Sequence, residues 1–361
     1  MTNELVCVAD FERLAESRLE PGAFGFYAGG AGDERVLTGN VAAWERLYLR
    51  PRVLVDVSEV TTATTVLGTP VSMPLLVAPV ALQKLAHPDG EPGMARAAAA
   101  AGTLLCLSTV ATATPEEVAA AAPGAPRWFQ LYVFRDRGVT RALVEQAAEH
   151  RYGAIVLTVD APRLGRRERD LRTGFRVPAE VLVPSVAALR SVEGVGWEGA
   201  TPLELGAFDP TLTWADLEEL RSLSTLPLVL KGIQTAEDAD LACAHGVDAI
   251  VVSNHGGRQL DAVAPTADLL PEIVEAVAGR IEVYVDGGIR RGSDVVKALA
   301  LGARAALAGR APLWGLACDG EAGATHVLQL LRDEIELALA FCGCTSPEDV
   351  SAIHLGTIGG P

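Results

Sequence analysis

The chain has 361 residues, 49% of them apolar, which is enough to bury a full core in a single domain spanning 1–361. Lys and Arg number 30 against 46 Asp and Glu, and the resulting net charge of −16 repels phosphate backbones and anionic lipid, excluding nucleic acid and membrane surfaces as expected partners. No apolar run approaches the roughly 20 residues of a spanning helix. The opening Met1-Thr2-Asn3-Glu4 has no basic segment followed by an apolar run, so a cytoplasmic location is expected. Cys7, Cys106, Cys243, Cys318, Cys342 and Cys344 include no C-x-x-C pair, which predicts reduced thiols. Cys342 and Cys344 lack a matching histidine cluster, so no metal is expected.

Residues 1–70 precede the first strand signal and are expected to form helices and a short ribbon that plug one end of the domain. Eight short apolar runs follow: Leu75–Ala78, Leu104–Leu107, Trp128–Tyr132, Ala154–Val159, Leu228–Leu230, Ala249–Val252, Val283–Val285 and Ala305–Ala308. Their residues are apolar at consecutive positions, as in strands covered on both faces, and most lie about 25 residues apart, room for a strand, a helix and two turns. The pattern predicts α/β architecture, a (β/α)8 TIM barrel with an N-terminal helical extension. Thr114-Pro115-Glu116-Glu117, Thr213-Trp214-Ala215-Asp216 and Thr235-Ala236-Glu237-Asp238 each place a hydroxyl three residues before a carboxylate, predicting helix starts. Ser293 is expected to cap the segment Asp294 to Leu301, with Gly302 ending it. An inserted loop over 176–212, after the fourth strand, breaks the period and reads either as an active-site lid or, in its middle, as a disordered surface loop. Residues 320–361 are expected to be C-terminal helices.

In such a barrel the reactive groups project from the C-terminal ends of the strands. The eight runs end in Pro79-Val80-Ala81, Ser108-Thr109, Gln130 with Tyr132, Thr158 with Asp160, Lys231, Ser253-Asn254-His255, Asp286-Gly287-Gly288 and Gly309-Arg310. The last two ends bring glycine amides beside Arg290 and Arg310, a phosphate-binding combination. Lys231 points a desolvated ammonium into the mouth, open to three readings: stabilising negative charge on a cofactor, forming a Schiff base, or making a structural ion pair. His255 is the histidine best placed to act as a general base, whereas His87, His150, His245, His326 and His354 read as structural or surface residues. Arg258 and Arg167 suggest a bidentate carboxylate clamp, and two or three of Arg163, Arg166, Arg167 and Arg169 are expected to be merely solvated.

These residues carry a resemblance. Ala28-Gly29-Gly30-Ala31, Ala86-His87-Pro88-Asp89-Gly90-Glu91, Gln130-Leu131-Tyr132, Leu157-Thr158-Val159-Asp160, Lys231-Gly232, Ser253 to Asp261, Asp286 to Gly292 and Gly309-Arg310, in that order, resemble the FMN-dependent 2-hydroxy-acid oxidases and dehydrogenases over nearly the whole chain. The resemblance implies FMN held at its ring by Ala78, Pro79, Val80, Ala81, Ser108, Gln130, Thr158, Lys231 and Ser253, and at its phosphate end by Asp286, Gly287, Gly288, Arg290, Gly309 and Arg310. It further implies that His255, partnered by Asp160, takes the substrate hydroxyl proton, that Tyr132 bonds the substrate oxygen, and that Arg167 and Arg258 grip the carboxylate. Hydride would pass to flavin N5, with Lys231 stabilising the reduced anion.

Two positions depart from the family pattern. Phe26 stands where many members carry a tyrosine, removing a hydrogen bond to substrate, and Tyr27 is not expected to replace it. Val110 stands where the short-chain oxidases place a tryptophan. Together they imply a bulkier, aromatic 2-hydroxy acid of the mandelate or 4-hydroxymandelate type. Ala81 resembles the members that use oxygen directly, giving hydrogen peroxide; a dehydrogenase with another acceptor is the alternative. A Schiff-base aldolase built on Lys231 is the rival from another class. Family members form homotetramers or homo-octamers, so a homo-oligomer is expected.

Overall fold

The computed structural model describes residues 5–178, 181, 183–184 and 207–357. Eight parallel strands close a barrel: β1 (Leu75–Val77), β2 (Leu105–Leu107), β3 (Arg127–Leu131), β4 (Ile155–Thr158), β5 (Leu228–Ile233), β6 (Ala249–Val252), β7 (Glu282–Val285) and β8 (Ala305–Ala308). Closure runs through the β8–β1 register, Ala306 opposite Leu75 and Ala308 opposite Val77. The strands are apolar at consecutive positions because both faces are covered. Leu76, Cys106, Trp128, Val156, Val229, Val251, Tyr284 and Leu307 fill the barrel interior. Their neighbours Leu75, Val77, Leu105, Phe129, Leu131, Ile155 and Leu157 pack outward against the helices. The large interior rings, Trp128 and Tyr284, lie 5.4 Å apart.

The segment before the barrel divides between both ends instead of plugging one. A hairpin, Thr64–Val66 with Thr69–Val71, places Val66 and Val71 in the interior cluster at the bottom. Helices α1 (Val8–Arg18), α2 (Pro21–Ala28) and α3 (Arg35–Glu45) come first, and α2 reaches the opposite, C-terminal mouth. Thr114 and Thr235 cap their helices as expected, each accepting from the amide three residues on. Thr213 donates to Asp216 (2.6 and 2.7 Å), but this bracket braces the turn before the helix Asp216–Ser222. Ser293 is not a cap: the helix Gly292–Ala300 starts two residues earlier than expected, because the Asp294 carboxylate accepts the amides of Arg290 and Arg291 (3.1 and 3.0 Å) and fixes that end. Gly302, at φ 98°, ends it as expected.

Most of the 176–212 insertion lies outside the described residues. Its returning arm is held on the loop after β3 by a bridge between Phe134 and Phe208, with Arg135 N–H to the Ala207 carbonyl (2.9 Å) and Asp209 N–H to that of Val133 (2.8 Å). The last helix, Arg310–Cys342, breaks at Asp319 and Gly320 (φ 55°, ψ −139°). Beyond it the chain is not helical to its end, since Leu355–Thr357 pairs antiparallel with Leu47–Leu49.

The break lets Gly315 and Gly323 cross backbone to backbone, where a Cβ on Gly323 would overlap the Gly315 carbonyl. Gly323→Ala is therefore expected to cost about 1–3 kcal/mol through overpacking. The measurement is the midpoint of urea unfolding at unchanged slope, and an unaltered midpoint would contradict the close crossing.

Candidate active site

A cleft of about 1160 Å³ opens where the strands end at the C-terminal mouth. All the residues assigned from the sequence to catalysis, substrate or cofactor line it except Asp160 and Ser253, which are buried against residues that do. Leu164, Phe208, Ile289 and Leu313 line it as well, though the sequence did not single them out, and so does Tyr27, which was expected to point elsewhere. Leu164 and Ile289 sit inside motifs already read for their charges and could have been found there. Phe208 carries no signal, because it belongs to the aperiodic insertion.

At the centre, Lys231 from β5 is buried between two partners. Its ammonium lies 3.0 Å from the Asp286 carboxylate after β7 and donates to Ser253 Oγ after β6 at 2.9 Å. Burial alone would lower its pKa, but the carboxylates of Asp286 and Asp160 overcome that and raise it above the ordinary lysine value. Ser253 Oγ also accepts the His255 amide (3.1 Å). His255 stands at φ 58°, followed by Gly256 and Gly257 at 63° and 76°, so the chain folds back and turns the imidazole into the cleft. Its Nδ1 bonds Asp160 Oδ1 at 2.8 Å, and Nε2 lies 3.4 Å from the Tyr132 hydroxyl. Burial lowers the His255 pKa below its usual 6.5, against the opposing pull of Asp160. Burial and the Asp160 charge push the Tyr132 phenol up to about 12.

Guanidiniums occupy the sides of the cleft. Arg258 donates to the carbonyls of Phe26 (2.6 Å) and Gly29 (2.8 Å), and Arg310 to those of Tyr27, Gly256 and Gly29 (2.9, 3.1 and 3.0 Å). Burial, together with the like charges of Arg167 and Arg310, holds Arg258 well below the ordinary arginine value. Burial and Arg290 bring Arg310 down to about 9. Such crowding of buried cations marks a place for anions. Of the arginines after β4, Arg167 faces the cleft, while Arg169 pairs with Glu34 (2.6 Å) and Arg166 reaches Glu168 at 3.9 Å on the surface.

Across β2, β3 and β4, the Gln130 side chain accepts the Thr109 amide (3.0 Å) and donates to Thr158 Oγ1 (3.0 Å), with Ser108 Oγ 3.4 Å away. Phe26 has no hydroxyl to offer, and its ring lies 5.1 Å from the Arg258 guanidinium and 5.9 Å from that of Arg167. Tyr27 does not replace the lost group, since its hydroxyl donates to the Leu82 carbonyl at 2.5 Å. The other histidines lie elsewhere: His245 stacks on Trp214, His326 packs edge-on to Phe11, and His354 Nε2 lies 3.6 Å from Cys344 Sγ.

Three chemistries share this one cleft. Buried cations and positive-φ glycines (Gly287 at 95°, Gly288 at 84°) suit a phosphate, and Asp286 Oδ1, buried with no hydrogen-bond partner among the described residues, suits a hydroxylated chain. Apolar walls from Ala78, Val80 and Leu307, edged by the amide of Gln130, suit a flat heteroaromatic ring. That donor set fits flavin mononucleotide.

The model of the FMN-dependent dehydrogenase family matches residues 15–357. The chain belongs to that family. Its cofactor is FMN, and its class of chemistry is FMN-dependent 2-hydroxy-acid oxidation. It is 52% identical over 358 residues to an L-lactate oxidase of Nostoc sp., covering 96% of this chain and 97% of the relative. It is 47% identical over 356 residues to a glycolate oxidase of Arabidopsis thaliana, covering 98% and 96%. A crystal structure of mandelate oxidase with (S)-4-hydroxymandelic acid superposes with a TM-score of 0.90 at 44% identity, covering 98% of each chain.

Within this family member, the Lys231–Asp286 pair is a structural as well as a site feature. Asp286→Ala leaves a buried ammonium short of its carboxylate and is expected to destabilise the protein by about 3–5 kcal/mol. Chemical denaturation of the purified variant measures it, and a loss no larger than that of an exposed surface pair would rule out the buried bridge.

Proposed function

We propose that the chain oxidises an aromatic (S)-2-hydroxy acid, of the mandelate or 4-hydroxymandelate type, to its 2-oxo acid, with oxygen as the final acceptor and hydrogen peroxide as the second product. The observation that carries this reading is the buried His255–Asp160 pair, which aims Nε2 beside Tyr132 into a cleft that Arg167 and Arg258 also line. Ala78 to Ala81, Ser108, Gln130, Thr158, Lys231 and Ser253 would hold the ring of FMN, and Asp286 to Gly288, Arg290, Gly309 and Arg310 its ribityl and phosphate. When bound, FMN supplies the two-electron acceptor for the hydrogen on the substrate α-carbon.

The protein's own residues do the rest. Arg167 and Arg258 fix the substrate carboxylate, setting the hydroxyl near Nε2. Asp160 keeps the proton on Nδ1, so Nε2 presents a lone pair and takes the hydroxyl proton; the same carboxylate then stabilises the imidazolium. Tyr132, held neutral, donates to the substrate oxygen as charge develops there. Lys231 keeps a fixed positive charge at the cleft floor. That charge also weakens the aldolase alternative, because an ammonium raised in pKa and bridged by Asp286 and Ser253 is a poor nucleophile.

Support for an aromatic side chain comes from Phe26, Val110, Leu164 and Phe208, which give the cleft apolar walls, and from the mandelate oxidase likeness. A short-chain reading is favoured by the identity to the lactate oxidase. The proposal extends to a cytoplasmic homotetramer or homo-octamer. Six free cysteines support a reducing compartment, and the exposed Val53 and Leu54 support an oligomer.

Anaerobic mixing with (S)-mandelate, (S)-4-hydroxymandelate, (S)-lactate and glycolate is expected to bleach the flavin, with the highest kcat/KM for the aromatic acids, and oxygen is expected to restore the colour with one peroxide per oxo acid. Bleaching by none of them would reject the function. Preference for lactate or glycolate would reject only its aromatic part, and slow recovery in oxygen would point to another acceptor.

Because the base must be neutral and burial lowers its pKa, kcat/KM should rise with pH through a value below 6.5, the ordinary histidine figure. Asp160 raises the His255 pKa, so Asp160→Asn should move this limb to still lower pH while cutting kcat by roughly a hundredfold or more. A limb displaced to higher pH would contradict the assignment.

A further inference from the structure

We infer that Phe208 is the partition between the active-site cleft and a second apolar cavity, and that it sets the upper length of the 2-hydroxy-acid side chain the enzyme accepts. The inference rests on the proposed function and adds a limit that the family membership does not supply.

A second, partly open cavity of about 940 Å³ lies beside the cleft, and Tyr132, Thr158 and Phe208 line both. Between them stands a stacked pair: the Tyr132 and Phe208 rings lie 4.5 Å apart at 22°. Phe208 is 6% exposed and is wedged edge-on by Phe134 at 5.0 Å. Its backbone is pinned on both sides by the hydrogen bonds of Ala207 and Asp209 to the loop after β3, so the ring is a built wall.

Beyond it Val133, Leu212, Trp214, Leu217 and Ile233 give apolar walls, and Thr213, Asp209 and Asp238 line the cavity as well. An anionic head would be repelled there by the Asp209 and Asp238 carboxylates. A hydrocarbon tail would gain, at about fourfold in affinity per buried methylene. The carboxylate of a substrate stays with Arg167 and Arg258, so only the far end of its side chain can cross. An aryl-sized group stops at the stacked rings, and a longer chain meets them.

The test compares (S)-2-hydroxyoctanoate with (S)-mandelate. Phe208→Ala is expected to lower kcat for both, because Tyr132 loses its stacked neighbour, yet to raise the octanoate-to-mandelate ratio of kcat/KM at least tenfold, as burial of two or more methylenes at about fourfold each would give. Phe208→Leu, which keeps apolar contact and guards against a folding defect, should shift the ratio the same way by less. Filling the second cavity in Phe208→Ala/Leu212→Trp should return the ratio to the parental value. The Kd of 2-oxooctanoate, read from perturbation of the flavin spectrum, should follow the same order. An unchanged ratio in both single variants, or a gain that survives the filled cavity, overturns the partition. Failure of the parental enzyme to oxidise either acid would instead overturn the proposed function on which it rests.

Discussion

A buried ammonium in the mouth of a closed barrel has to be compensated, and the rest of the site is arranged around that requirement. Lys231 is 4% exposed, and breaking such a buried pair costs several kcal/mol. Its partners come from the next two strands, Ser253 after β6 and Asp286 after β7, so one cation ties three neighbouring strand ends together. Ser253 then passes the constraint on. By accepting both Lys231 Nζ and the His255 amide, it helps hold His255 in the left-handed region, a conformation costing a non-glycine residue about 1–2 kcal/mol. The second anchor is Asp160, from β4. The His255 loop is thus held in part by Ser253, the same hydroxyl that accepts from the buried lysine.

The arginines raise the opposite difficulty, several like charges in one cleft, and the segment before the barrel answers it. The carbonyls of Phe26, Tyr27 and Gly29 lie at the C-terminal end of α2, where helix carbonyls lack internal partners and the dipole is negative. Arg258 and Arg310 both take them, and the Gly29 oxygen accepts from each. This accounts for the small residues of Ala28-Gly29-Gly30-Ala31. A Cβ on Gly29 would lie 2.7 Å from the Gly25 oxygen, and one on Gly30 2.8 Å from the Gly257 oxygen, so the backbone meets the His255 loop with no room for a side chain. Phe26 completes the arrangement as an apolar face beneath two guanidiniums.

The barrel was legible in the sequence because its strands are buried on both faces, and eight apolar runs separated by capped helices leave few other folds. The polar strand ends were legible for the same reason, since an apolar run that closes on Lys231 or Asp286 buries a charge that needs a partner, although the run alone left the role of Lys231 open. Contacts that depend on backbone groups left no trace. Nothing in the side chains of Pro21–Ala28 announces that its carbonyls will hold two arginines. Ser293 resembled a cap because a hydroxyl precedes a carboxylate-bearing turn, but Asp294 takes that task by reaching back to two amides. Phe208 was invisible because its position is fixed by a bridge to Phe134 across an insertion without periodicity, and the second cavity behind it was invisible with it.

The chain as a whole carries −16, yet the cleft gathers Lys231, Arg167, Arg258, Arg290 and Arg310, with Asp160 and Asp286 paired to His255 and Lys231 beside them. A net negative charge repels anions in general, so a cation-lined mouth concentrates them locally. On the proposed assignment two anions bind, and they must not exchange places. The strand order separates them: Arg290 and Arg310 follow β7 and β8, whereas Arg167 and Arg258 follow β4 and β6. Lys231, on β5, lies among them with its charge committed to Asp286, leaving the guanidiniums to sort the anions by geometry. A hydroxyl whose carboxylate is gripped on the β4–β6 side therefore arrives at the Nε2 that Asp160 has already oriented.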